Sequence, residues 1–121
     1  MQQFRICYFP FPEDLSGNIF GSVMRQKGHI VVFIDSRLSD DQKTRTLKHE
    51  LAHIILNHFD EPYPDDGIEF DDGFYRSESQ EAEANQYAEH MTEMELSKLM
   101  EYAIDIRYAG EEDLRAALAQ I

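Results

Sequence analysis

The sequence predicts an α+β domain, and three observations support this. Short stretches rich in Phe, Ile, Val and Tyr, broken by Gly, occupy the chain ahead of Ser39. Helical apolar spacing takes over after it. At 121 residues, 42% of them apolar and with eight Phe and six Tyr, the chain can bury one modest core but not two. Residues 1–121 therefore read as a single domain.

In order along the chain, FRICYF and then NIFGSVMRQKGHIVVFID suit short strands, with RQKGH as the turn between the last two. The expectation is a small antiparallel sheet. SDDQKTRTLKHELAHIILNHF opens with Ser39 as N-cap and Asp40 and Asp41 in the first turn, which predicts a helix from about residue 40 to 58. DEPYPDDGIEFDDGFYRS carries Pro62, Pro64, Gly67 and Gly73 among acidic residues and reads as a loop. Ser77, with Glu81 just inside, starts a second helix running to about Met94. ELSKLMEYAIDIRYAG and EEDLRAALAQI read as two further short helices separated by Gly110.

The formal net charge of -13 argues against nucleic acid as a direct partner and against an anionic membrane surface, since both would be repelled. Between Asp60 and Glu83 the only basic residue is Arg76, and this acidic stretch reads as a solvated loop and helix face. Cys7 is alone, which excludes an internal disulfide or a thiolate cluster and fits a reducing compartment. The N-terminus lacks a long apolar segment behind a basic start, and no stretch approaches a membrane span. The expectation is a soluble, cytoplasmic protein.

His49-Glu50-Leu51-Ala52-His53 fits the pattern H-E-x-x-H. At about 100° per residue, His53 lies about 40° round from His49 and one turn, roughly 6 Å, along the axis, so both imidazoles can reach one zinc ion. Glu50 projects from the edge of that face, where it can meet a water beside the metal and act as general base. Leu51, Ile54, Ile55 and Leu56 already make the helix amphipathic, so the polar trio is not needed for that purpose. His58 lies about 180° round from His49 on a regular helix, so it cannot join the same ion. It reads as a cap at the helix C-terminus, where positive charge is favoured.

A catalytic zinc keeps three protein ligands, so a third must come from another segment. His29 lies in a strand-like stretch and His90 in an exposed-looking one. The acidic helix SESQEAEANQYAEHM is the better source, with an apolar stripe of Ala84, Tyr87, Ala88 and Met91. Glu81 sits at the edge of that stripe and ranks first, Glu83 second and Glu78 third. Small residues beside the carboxylate would let this helix approach the histidine helix closely.

RTLKHELAHIILNH followed some thirty residues on by EAEANQYA resembles the ImmA/IrrE metallopeptidase family. Its pattern is a basic, Thr-containing lead into H-E-[LIF]-[AG]-H, and then E-x-x-A-N-x-[FY]-A. The resemblance spans about Gly21 to Met94, with Tyr87 standing where Phe is commoner. It implies a minimal zincin-like fold, with a small sheet packed on the active-site helix and the glutamate helix alongside. It also implies His49, His53 and Glu81 as ligands of Zn2+, and Glu50 as the catalytic acid/base. The implied activity is a metallopeptidase cleaving a helix-turn-helix repressor of a phage, mobile element or stress operon. With no helix-turn-helix or sensor segment in this sequence, it looks more like the phage and conjugative-element members. Tyr63, Tyr75 and Arg76 are candidates for a second electrophile at the reacting carbonyl. Two other readings are a zinc-stabilised module that sequesters a regulator without cleaving it, and a domain with no metal.

Overall fold

The computed structural model describes residues 2–11, 20–26, 28–58 and 78–109. Strands β1 (Phe4–Phe9), β2 (Gly21–Gln26) and β3 (His29–Asp35) come first, followed by helices α1 (Asp40–Ile55), α2 (Glu78–His90) and α3 (Glu93–Met100), and then by strand β4 (Ala103–Tyr108). The architecture is α+β, as expected. The acidic loop with Tyr63, Tyr75 and Arg76, the cap expected at Ser77 and the helix expected in EEDLRAALAQI lie outside the described residues.

The four strands form one sheet in the order β2-β3-β1-β4. Strands β2 and β3 make the expected antiparallel hairpin, with Gln26 opposite His29 and Gly28 at φ 81° in the connection. That left-handed conformation suits Gly because no Cβ is present to clash. Strand β1, however, runs parallel to both β3 and β4, so the sheet is mixed rather than antiparallel. Alternation along a strand marks which side chains share a face but carries no information on the direction of its neighbours.

The second correction concerns residues 103–108, which extend the sheet as an edge strand instead of continuing a helix. Ala-Ile-Asp-Ile-Arg-Tyr alternates with period two, which matches a strand with unlike faces. The Leu, Lys, Met and Glu residues just upstream are strong helix formers and do form α3, capped at its start by Thr92, whose hydroxyl accepts from the Glu95 amide. The helix expected to run to about Met94 ends at His90, and the next begins at Glu93, slightly ahead of the expected ELSKLM stretch.

Both faces of the sheet centre are covered. Phe4, Ile6, Val23, Ile30, Val32 and Ile34 pack with Leu47, Leu51 and Ile54 of α1 and with Met91. Cys7, Phe9, Phe11, Val31 and Phe33 cluster on the other side. Burial on both faces explains the unbroken apolar run Ile30–Ile34 in β3.

Helix α1 starts as its sequence dictates. Ser39 caps it, the Gln42 side chain returns a bond to the Ser39 amide, and Asp40 and Asp41 face the positive end of the helix dipole. It ends earlier than expected, at Ile55, with Asn57 in the left-handed conformation at φ 57°. The Asn57 amide bonds Ile54 O and the His58 amide bonds His53 O, both at 3.1 Å, which reverses the chain in a Schellman-type turn.

The seam between β2 and α1 depends on Gly21. A Cβ there would sit 2.5 Å from Thr46 Cγ2 and 2.9 Å from the Phe33 carbonyl oxygen, with Glu50 Cγ at 3.5 Å. The carbonyl belongs to the sheet and cannot step aside, so β2 and the Glu50 face of α1 would have to separate. Gly21→Val is expected to lower stability by about 1–3 kcal/mol. Urea unfolding of the metal-free protein reads this, and an unchanged midpoint would show the seam to be loose.

Candidate metal centre

The H-E-x-x-H spacing on α1 does what helical geometry requires. The His49 and His53 rings stand edge-on to one another at 89°, with centroids 4.7 Å apart, and their Nε2 atoms approach to 3.1 Å. Glu81 comes from α2, which packs on α1 and carries the fully buried Ala84 one turn beyond the glutamate. A side chain as small as Ala on the packed face of a helix lets its backbone lie close to its neighbours. Glu81 Oε2 lies 2.8 Å from His49 Nε2, and Glu81 Oε1 lies 3.3 Å from His53 Nε2. The three donors all fall within 4.8 Å of one another.

This donor set fits a metal ion. A tetrahedral zinc with nitrogen and oxygen ligands at about 2.0–2.1 Å has ligand-to-ligand edges of about 3.3 Å. The observed separations of 2.8, 3.1 and 3.3 Å are at or slightly inside that edge. Two imidazole nitrogens and a carboxylate aimed at one point also present lone pairs to one another, an arrangement that a cation or a proton relieves.

The titration behaviour follows from the same crowding. Burial works against a charge on His49, but the Glu81 hydrogen bond, the nearby Glu50 and Glu81 carboxylates and a hydrogen bond with Asn85 outweigh it and raise its pKa. Hydrogen bonds from His49 and then His53 hold the Glu81 carboxyl far below the usual carboxylate range, against the opposing effect of burial.

Glu50 is 6% exposed, packs beside Gly21 and Thr46, and is close enough to act on the charge of His49. Among the other glutamates weighed as ligands, Glu78 is exposed and stands outside the cluster. Glu83 is 58% exposed and directs Oε2 toward His58 Nε2, at 3.8 Å. His29 and His90 are exposed and remote from the cluster.

Two residues near the centre were not anticipated. Asn85, one turn beyond Glu81, lies close enough to the His49 ring to help raise its pKa. The i, i+4 spacing of Glu81 and Asn85 was the available signal. His58 was expected only as a cap of the helix C-terminus, yet its ring is 6% exposed, with its Nδ1 2.8 Å from Nδ1 of His53. Nothing in a regular helix places it there, because the Asn57 turn does so.

Residues 5–115 match the model of the IrrE N-terminal-like domain, a peptidase family. The chain belongs to this family. No curated protein and no solved structure gives a significant match. Membership in the IrrE N-terminal-like family supports a metallopeptidase, and the His-His-Glu cluster supplies residues that could hold its ion. Among the described residues, no helix is long and apolar enough to cross a membrane.

The coupled shifts set a pH dependence for the metal-free protein. Glu81 is depressed below its ordinary 4.5, so its contribution to stability is present above that value and fades as pH falls through the folded pKa. His49 is raised above its ordinary 6.5, so its contribution is full below that value and fades as pH rises through the folded pKa. The difference in thermal midpoint between the metal-free protein and its Glu81→Gln variant is expected to peak between pH 4.5 and 6.5. A difference independent of pH would contradict the pairing.

Proposed function

We propose that this chain is a zinc-dependent endopeptidase that acts in the cytoplasm on a helix-turn-helix transcriptional repressor of a phage, mobile element or stress operon. The observation carrying the catalytic reading is the convergence of His49 Nε2, His53 Nε2 and the Glu81 carboxylate from two helices. His49, His53 and Glu81 would hold the ion. When bound there, zinc supplies a Lewis acid that polarises the scissile carbonyl and acidifies water.

The remaining steps belong to the protein's own groups. The Glu50 carboxylate takes the proton of the attacking water and later delivers it to the leaving amine nitrogen. Its burial beside the β2–α1 seam limits the rotamers open to it, which keeps the base aligned during both transfers. The choice of a DNA-binding repressor draws on the family resemblance and on charge, since a net charge of -13 favours a basic substrate.

Glu50→Gln is expected to leave zinc binding intact while lowering cleavage by about 100- to 10,000-fold. Glu81→Ala is expected to weaken zinc binding together with activity. Equilibrium dialysis and N-terminal sequencing of a repressor encoded beside this chain check both. Loss of metal in Glu50→Gln would overturn the roles assigned here, and a stable complex with both chains intact would indicate sequestration instead of cleavage.

A further inference from the structure

His53 has two ring nitrogens with different surroundings. Its Nε2 faces His49 and Glu81, while its Nδ1 faces away and lies 2.8 Å from Nδ1 of His58. Both rings are sealed from solvent, with His53 2% and His58 6% exposed. We propose that His58 is a positioning residue for the metal centre, accepting the His53 Nδ1 proton so that the bare Nε2 of His53 is presented to the ion. This rests on the metal-site reading above.

The proton count leaves one arrangement compatible with a bound ion. A neutral imidazole that ligates through Nε2 carries its proton on Nδ1. At 2.8 Å the two Nδ1 atoms have room for a single proton between them, so His58 Nδ1 must be the bare acceptor. The proton of His58 then resides on Nε2, which is buried and has no hydrogen-bond partner among the described residues. Glu83 Oε2, 3.8 Å away, is the anion facing that N–H and favours this tautomer. With the opposite tautomers, the His53 proton would sit on Nε2, where it blocks the ion. The chain Glu83, His58, His53 thus has a direction, with each N–H pointing away from the metal.

The backbone explains why His58 can play this part. Asn57 at φ 57° reverses the chain immediately after α1, and the His58 amide bonds the carbonyl of His53 itself. Main chain and side chain of His58 therefore both engage residue 53. Rotation of the His53 ring about its Cβ–Cγ bond would break the Nδ1 contact, so the ring plane is fixed from behind.

The test compares zinc affinity by chelator competition in wild type, His58→Leu and His58→Asn. Leu fills volume without an acceptor, whereas Asn places an oxygen near the position of Nδ1. Leu is expected to weaken zinc binding by about 10- to 100-fold, a typical loss when the residue behind a ligand is removed. Asn is expected to restore most of that loss. Equal affinity in wild type and Leu, or an Asn variant as weak as Leu, overturns the proposal. A readout on the unmutated, zinc-loaded protein removes dependence on variant folding. Nitrogen-15 NMR should show His53 protonated at Nδ1, with a scalar coupling across the N–H···N bond to His58, and a proton on His53 Nε2 overturns the assignment. If wild type binds no metal at all, the reading of the centre itself fails. If it binds and His58→Leu matches it, only the role of His58 fails.

Discussion

Three lone-pair donors aimed at one point do not stay together unless positive charge lies between them, and the α1–α2 pair is arranged around that constraint. His49, His53 and Glu81 could each find water separately at little cost. They are brought to within 4.8 Å of each other because α1 fixes the two histidines one turn apart and Ala84 lets α2 close on them. The raised pKa of His49 and the depressed pKa of Glu81 have one cause, since each group favours the charged form of the other. A divalent ion answers the same demand more fully, since it engages all three donors at once. An imidazole ligates only through a bare nitrogen, so protonation and metal binding compete at this site and both are linked to folding.

Legibility of the site from sequence followed the distance over which each inference had to reach. The His49, Glu50 and His53 relation is set within one helical turn, so covalent spacing alone determines it. Choosing Glu81 over Glu83 and Glu78 required knowing which face of α2 meets α1, and the Ala84 stripe supplied that. Strand direction was not legible. The β2–β3 hairpin announces itself by its short turn, but nothing in residues 4–9 says that β1 runs parallel to β3. Strand β4 was misread for a different reason, because the helix-forming residues of α3 were extended past Tyr102 into an alternating stretch.

His58 shows how a single backbone residue can overturn a periodic argument. On a continued helix it points away from the metal face, and the angular reasoning that excluded it as a ligand remains sound, since it touches His53 and not the common point. What that reasoning lacked was the left-handed residue. Asn is among the few residues other than Gly that adopt this conformation readily, so Asn57 ahead of His58 was a usable stop signal. Ending α1 there turns an expected helix cap into a buried ring behind a candidate ligand.

The two helices of the site differ in what holds them. Helix α1 buries Thr46, Leu47, Glu50, Leu51, Ala52, His53 and Ile54 against the sheet and its neighbours, while α2 buries only Gln80 and Ala84. Hydrophobic burial scales with apolar area, so α1 is anchored by the core and α2 has little apolar surface of its own to hold it. Tyr87 and, just past the end of α2, Met91 add packing to the core, while near its start Glu81 reaches α1 through its hydrogen bond to His49. The carboxylate is therefore both a candidate ligand and one of the attachments of the segment that carries it. An ion shared by His49, His53 and Glu81 would clamp a lightly held helix onto a firmly held one, so loss of metal should loosen α2 before it disturbs the sheet.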